Sequence, residues 1–405
     1  YASVDKNLGE VYKSTNGGQS YLLVSTGQQL LSGQGFYDNA IWVKPDDPDF
    51  VVVAGVDMYK STNGGTLFSK IAYWGYTWYY KDPPSPHADH HALVSVPGSN
   101  TALLNGNDGG MYYTSDITTA GTNPDYNQGW VYMNNNLGIT QFYGVAGNNS
   151  GTLYGGTQDN GVLRGTSNEP NNWVFANGGD GGKSVADPTN PNYLYNEYIF
   201  GKVNRISVGS GEAEDIYGIY YNGSAWVCRD APYRIDDACN SQGSFIAPLL
   251  LDPNNPNRLF VGDLSLWVTD DARTPNVWNS DTSGPQWAAL KPSVGSGINA
   301  IAVAPSDSDV IWVGYKNSRI DMTTDGGTNW TRVDMNIGTG NPGTQVGSIA
   351  IDRNNSNIVY AAFTGFSTAS YNLWRTADGG ATWTQVTNNL PNAPIYAVAI
   401  NPANS

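Results

Sequence analysis

Arginine is absent from the first 163 residues of this 405-residue chain, and charge of either sign is sparse, at 14% of residues. Twenty cations against 35 acids leave a net charge of −15. So acidic and cation-poor a chain is not built to track nucleic-acid phosphates or to adhere to anionic membrane surfaces. No apolar run reaches 18 residues, so no membrane span is expected. Only two cysteines occur, Cys228 and Cys239, with ten residues between them. A disulfide closing that loop is the expectation, and with it an oxidising compartment; the alternative is two free thiols in an irregular segment. The spacing is not C-x-x-C and no histidine is near, which argues against a metal on this pair. There is no G-x-S-x-G elbow and no P-loop. No signal peptide is visible, and a chain opening at Tyr1 inside a repeat reads as mature or trimmed material.

Glycine, asparagine, serine, threonine and the aromatics are plentiful, which suits short strands joined by tight turns. The clearest turn is Thr323-Thr324-Asp325-Gly326-Gly327-Thr328-Asn329-Trp330, and Thr376-Ala377-Asp378-Gly379-Gly380-Ala381-Thr382-Trp383 repeats it. Looser copies start at Ser14 and Ser61, with Asn16 and Asn63 in place of the aspartate. Each follows one short apolar run and leads into another. The Asp or Asn accepts N–H groups of the turn, the glycines supply positive φ, and the aromatic opens the next strand.

These segments resemble the Asp-box (BNR) repeat of sialidases, xyloglucan-active glycosidases, sortilin-type receptors and many secreted bacterial β-propellers. The resemblance implies a propeller with the boxes on turns away from the binding face. Ile298–Ala304 followed by Val310–Gly314 shows the strands that precede a box, and the same pair of strands recurs along the chain at about 50 residues a unit. First strands are predicted at 37–44, 88–96, 140–146, 182–187, 244–252, 298–304, 346–351 and 394–400. Decayed boxes run from Thr114 to Trp130, from Gly165 to Trp173 and from Thr269 to Trp278. The fold expected is all-β, a single eight-bladed propeller of four-stranded blades over 1–405. The run 394–400 would pair with Tyr1–Val4 to close it, and seven blades is the fallback.

In such blades the loops entering strand one share a face with those joining strands two and three. Asp38, Asp89, Asp108, Asp159 and Asp180 all fall in these loops, with Asn107, Gln158 and Asn160. All three histidines, His87, His90 and His91, lie in one of them. Paired carboxylates suit glycoside hydrolysis, and His90 with Asp89 suits general acid–base work or a divalent cation whose ligands the sequence does not fix. The plainer readings are that Asp-Gly is a good turn sequence and that His90 and His91 alternate across a strand. The runs His87–His91, Asn105–Gly110, Gly155–Gly161 and Gly178–Gly182 also resemble motifs found in that order in a group of secreted bacterial Asp-box proteins. Trp74, Tyr76, Trp78 and Tyr79 sit in an aromatic loop just before His87, either stacking on sugar rings or folding back as a lid. The N-terminal Arg-Ile-Pro motif of sialidases is absent, and the xyloglucan-active families use two propellers. Two functions follow as expectations: a secreted protein binding or hydrolysing a polysaccharide or glycan, or an extracellular module gripping a protein partner.

Overall fold

Short apolar runs punctuated every few residues by Gly, Asn, Asp and Pro leave the chain little choice but antiparallel meanders. The computed structural model describes residues 1–72, 74, 85–121, 129–135, 137–166, 168–207, 213–366 and 371–401. They form an all-β fold in which each strand pairs with its neighbour in sequence. Among the described residues there are seven four-stranded sheets, one three-stranded sheet and one two-stranded hairpin. These sheets are of the kind a propeller is made from.

The chain divides into two compact units, Tyr1–Thr140 and Gln141–Ser405. In the first, three consecutive sheets pack face to face. Val11, Leu30, Leu31, Val51 and Val53 fill one interlayer; Trp42, Phe50, Val52, Leu103 and Tyr112 belong to the next. The second unit repeats the arrangement with five sheets. Trp312, Val346, Phe363 and Trp374 share one of its cores, and Tyr195, Leu249, Leu259, Trp267 and Trp287 another. The second strands read as unbroken apolar runs because a sheet covers each face: Val310 through Tyr315 is wholly buried. Removing the Trp312 side chain from such a layer would cost about 3–5 kcal/mol.

The turns at Asp325 and Asp378 share one hydrogen-bond pattern. Thr323 Oγ1 donates to Asp325 Oδ1 at 2.7 Å, Gly327 N–H donates back to Thr323 Oγ1 at 3.1 Å, and Asn329 N–H reaches Asp325 Oδ1 at 2.8 Å. Thr376, Asp378, Gly380 and Thr382 make the same set. Ser14 with Asn16, and Ser61 with Asn63, do so with an amide oxygen.

Two expectations are corrected. The third decayed turn closes on Trp287, which is buried and precedes strand Ala288–Lys291, whereas Trp278 is exposed. Asp271 is the reason: Thr269 Oγ1 donates to it at 2.5 Å and Gln286 N–H at 3.0 Å, so fourteen residues, 272–285, loop out between those bonds. At the other end, 394–400 forms no strand, and the sheet carrying Ala2–Val4 holds three strands. The Ile395 N–H donates to the Phe363 carbonyl instead.

The irregular fifth repeat contains the extra hairpin Ile219–Tyr221 with Trp226–Cys228 and the short helix Asp236–Cys239. A disulfide joins Cys228 to Cys239 and ties that helix to the hairpin.

Candidate functional site

In the first unit the loop into strand His90–Ser95 and the turn after strand Leu103–Asn107 are bonded together, Asp108 N–H donating to the Asp89 carbonyl at 3.3 Å. That link brings Asp89 and Asp108 side by side, with carboxylate oxygens within 4.8 Å of each other. Asp89 holds φ +60°, a left-handed conformation that aspartate tolerates better than most residues and that recurs at functional turns.

Asp108 is gripped from outside. Tyr37 O–H donates to its Oδ2 at 2.7 Å and His91 Nε2 donates to Oδ1 at 2.6 Å. A carboxylate only accepts, so the proton of a neutral His91 sits on Nε2. The Tyr37 and His91 rings meet edge to face at 4.9 Å. Tyr37 is 45% exposed and its neighbour Phe36 81%.

Asp89 is held from inside, accepting from Gln34 Nε2 at 3.1 Å. Behind it lies Asp38, wholly buried. Burial first, and the Asp89 charge second, push the Asp38 carboxyl up to about 7. Burial also raises Asp89. The Asp38 carboxyl therefore keeps its proton until the pH nears neutral. With Asp108 the site is graded: Asp38 is buried, Asp89 nearly so, and Asp108 partly exposed.

His90 is also sealed from solvent. Its Nδ1 donates to Asn105 Oδ1 at 3.1 Å, and Asn107 Nδ2 donates to the same oxygen at 2.7 Å. Burial pulls its pKa down to about 3, so the ring stays neutral. His90 therefore orients the strand, and His91 is the histidine at the surface. His87 is half-buried, its Nδ1 3.3 Å from the Ala88 carbonyl. Trp74 is exposed; Tyr76, Trp78 and Tyr79 lie outside the described residues.

Asp159, Asp180, Gln158 and Asn160 belong to the second unit. Asp159 has φ +61° and its N–H donates to Asp180 Oδ1 at 3.1 Å. Gln158 Oε1 accepts from Tyr143 O–H at 2.9 Å, and Asn160 Nδ2 donates to the Gln158 carbonyl at 3.2 Å. This unit also holds two acids that the motifs did not mark as a site, Glu197 and Asp263, both wholly buried. Burial lifts Glu197 to about 8 and Asp263 to about 7. The one hint of Glu197 in the sequence is the polar pair Asn196-Glu197 ending an otherwise apolar strand, Tyr193–Glu197.

No family model matches the chain. A xyloglucanase from a Paenibacillus species is 33% identical over 146 residues, a stretch covering 31% of this chain. The match spans 13% of that relative's length. The crystal structure of a GH74 xyloglucanase from Xanthomonas campestris aligns with 95% of this chain and 63% of its own. Sequence identity there is 15% and the TM-score 0.26.

Proposed function

We propose that the chain binds a neutral β-linked polysaccharide of the xyloglucan type at the first-unit site, and that Asp89 and Asp108 hydrolyse it. The observation that carries this reading is the carboxylate pair within 4.8 Å beside exposed Phe36 and Tyr37. Retaining glycosidases set their two carboxyl groups about 5–5.5 Å apart, one as acid and one as nucleophile. Asp89, its pKa raised by burial, suits the acid that protonates the leaving oxygen. Asp108, oriented by His91 and Tyr37, suits the nucleophile. Phe36 and Tyr37 offer the faces on which pyranose rings stack. The similarity to a xyloglucanase supports the glucan backbone as ligand. An extracellular setting accords with both the polysaccharide and the Cys228–Cys239 disulfide.

The test is affinity electrophoresis and reducing-sugar release on xyloglucan, for wild type, Asp108→Asn, Asp89→Asn and Phe36→Ala, with and without EDTA. Wild type is expected to be retarded and to release sugar. Asp108→Asn is expected to lose about 10²–10⁴-fold in rate while still binding, and Phe36→Ala to bind more weakly. Retardation without sugar release would remove the acid–nucleophile assignment and leave a binding protein. Neither retardation nor release on any neutral glucan would overturn the proposal. Loss of release in EDTA alone would bring a divalent cation into the site.

A further inference from the structure

The second unit carries a surface that the first-unit site does not use. Hairpin Ile219–Tyr221 with Trp226–Cys228 leans on the 272–285 excursion, and Tyr221 N–H donates to the Trp278 carbonyl at 2.7 Å. Three rings line up there. Tyr221 sits 5.8 Å from Trp226, with 60° between the ring planes, and 6.0 Å from Trp278, with 31° between them. Trp226 is 57% exposed and Trp278 59%. Beside them an open cavity of about 620 Å3 is lined by Tyr220, Tyr221, Asn222, Trp278, Asn279 and Asp281.

An exposed loop that bares an indole would ordinarily collapse onto the nearest apolar surface. This one is fastened from below. The Arg229 guanidinium, wholly buried, donates through Nη1 to Ser283 Oγ at 3.0 Å and to the Ser280 carbonyl. Its Nη2 reaches the Val277 carbonyl at 3.0 Å and Asn276 Oδ1, and its Nε the Ile219 carbonyl at 3.1 Å. Every donor group of the fork is spent on holding the excursion to the hairpin, and the disulfide at Cys228 fixes the hairpin to the helix behind it. The ordering entropy of the platform is thus met in the folded chain before any ligand arrives.

We infer that this aromatic row is a second glycan-binding platform, taking the rings of a neutral sugar chain on Trp226, Tyr221 and Trp278. Ring faces receive the C–H faces of pyranoses, and Asn279 and Asp281 at the rim are placed for hydroxyl hydrogen bonds. Asp281 and the net charge of −15 turn away uronic acids and phosphates. The platform is built from this unit's own residues and does not depend on the acid pair being hydrolytic.

The experiment is affinity electrophoresis of the full chain through xyloglucan, mixed-linkage β-glucan and glucomannan, beside Trp278→Ala, Trp226→Ala and the double variant. Each variant is also made in a chain already carrying Phe36→Ala and Asp108→Asn, and melting curves confirm folding. Trp278→Ala is expected to weaken retention about tenfold, and the double variant to weaken it further. Retention that stays at the wild-type level with Phe36→Ala and Asp108→Asn but is lost with the tryptophans supports the platform and removes the first-unit site as the place where the glycan is held. Equal retention of wild type and double variant overturns the platform, as does a wild type that no gel retards. A wild-type dimer that becomes monomeric in Trp278→Ala, with no glycan retention in either, assigns the rings to a second copy and overturns it too.

Discussion

Glu197, Asp263 and Asp38 are acids kept in places where charge is costly, and burial raises all three, to about 8, 7 and 7. Between their ordinary carboxylate values and those raised ones, the folded chain holds protons that the unfolded chain has released. Stability from this source is complete below the unfolded values, 4.5 for Glu197 and 3.8 for the aspartates, and is lost as pH rises through the folded ones. His90 acts on the acid side: its pKa is lowered to about 3, so stability falls as pH drops below 6.5. Glu197→Gln, neutral at every pH, is expected to flatten the decline of Tm between about pH 5 and pH 8; an unchanged slope would show that Glu197 does not titrate in that range. Asp108 is legible because an Asp-Gly turn announces itself in sequence, and Asp89 because it stands among the three histidines. Glu197 is not, since a carboxyl at a strand end looks like any solvated polar residue until the neighbouring sheet covers it. Which histidine reaches the surface is likewise set across the strands, where His90 bonds the Asn105 side chain and His91 that of Asp108.

At the scale of an element, the Asp/Asn turns were the most readable part of the chain because every bond they need is local. Their glycines are not equivalent. Gly379 has φ +67°, and a Cβ there would meet the Asn357 side-chain oxygen at 3.2 Å. Gly380 has φ +87°, and its Cβ would press on Val333 at 2.9 Å and the Trp312 ring at 3.0 Å. Gly379→Ala is expected to cost about 1–2 kcal/mol, the ordinary left-handed penalty. Gly380→Ala should cost about 1–3 kcal/mol more, because overpacking adds to it. Urea melts of the two variants compare them directly, and equal midpoints would refute the packing account. The expected first strands 298–304 and 346–351 match the strands observed, whereas 244–252 shrinks to Leu249–Leu251. The run 394–400 is apolar throughout, as a strand covered on both faces would be, yet a strand exists only when an edge receives it, and that is a non-local matter. Spacing in the sequence points to Trp278 as the closing aromatic, whereas the Asp271 hydrogen bond selects Gln286 and with it Trp287.

For the molecule as a whole, the composition bears on ligand choice. A surface this acidic repels polyanions over about a Debye length, roughly 10 Å at 0.1 M salt. Retention by neutral xyloglucan should therefore barely change between low and physiological salt. A polygalacturonate gel should not retard the chain at low salt; strong retardation there would show that local cations outweigh the net charge of −15. Every sheet is a meander of successive strands, so the chain gathers its core from near neighbours. The Asp271 turn adds a further property to that plan. One carboxylate bonds both ends of the turn, Thr269 before and Gln286 after, and the flanking strands still pair, with one register shift, although fourteen residues intervene where three stand in the Asp325 turn. The aspartate works as a socket of fixed width, into which loops of any length can be plugged. New recognition surfaces can be fitted at these sockets, by selection or by grafting, without renegotiating the framework that carries them.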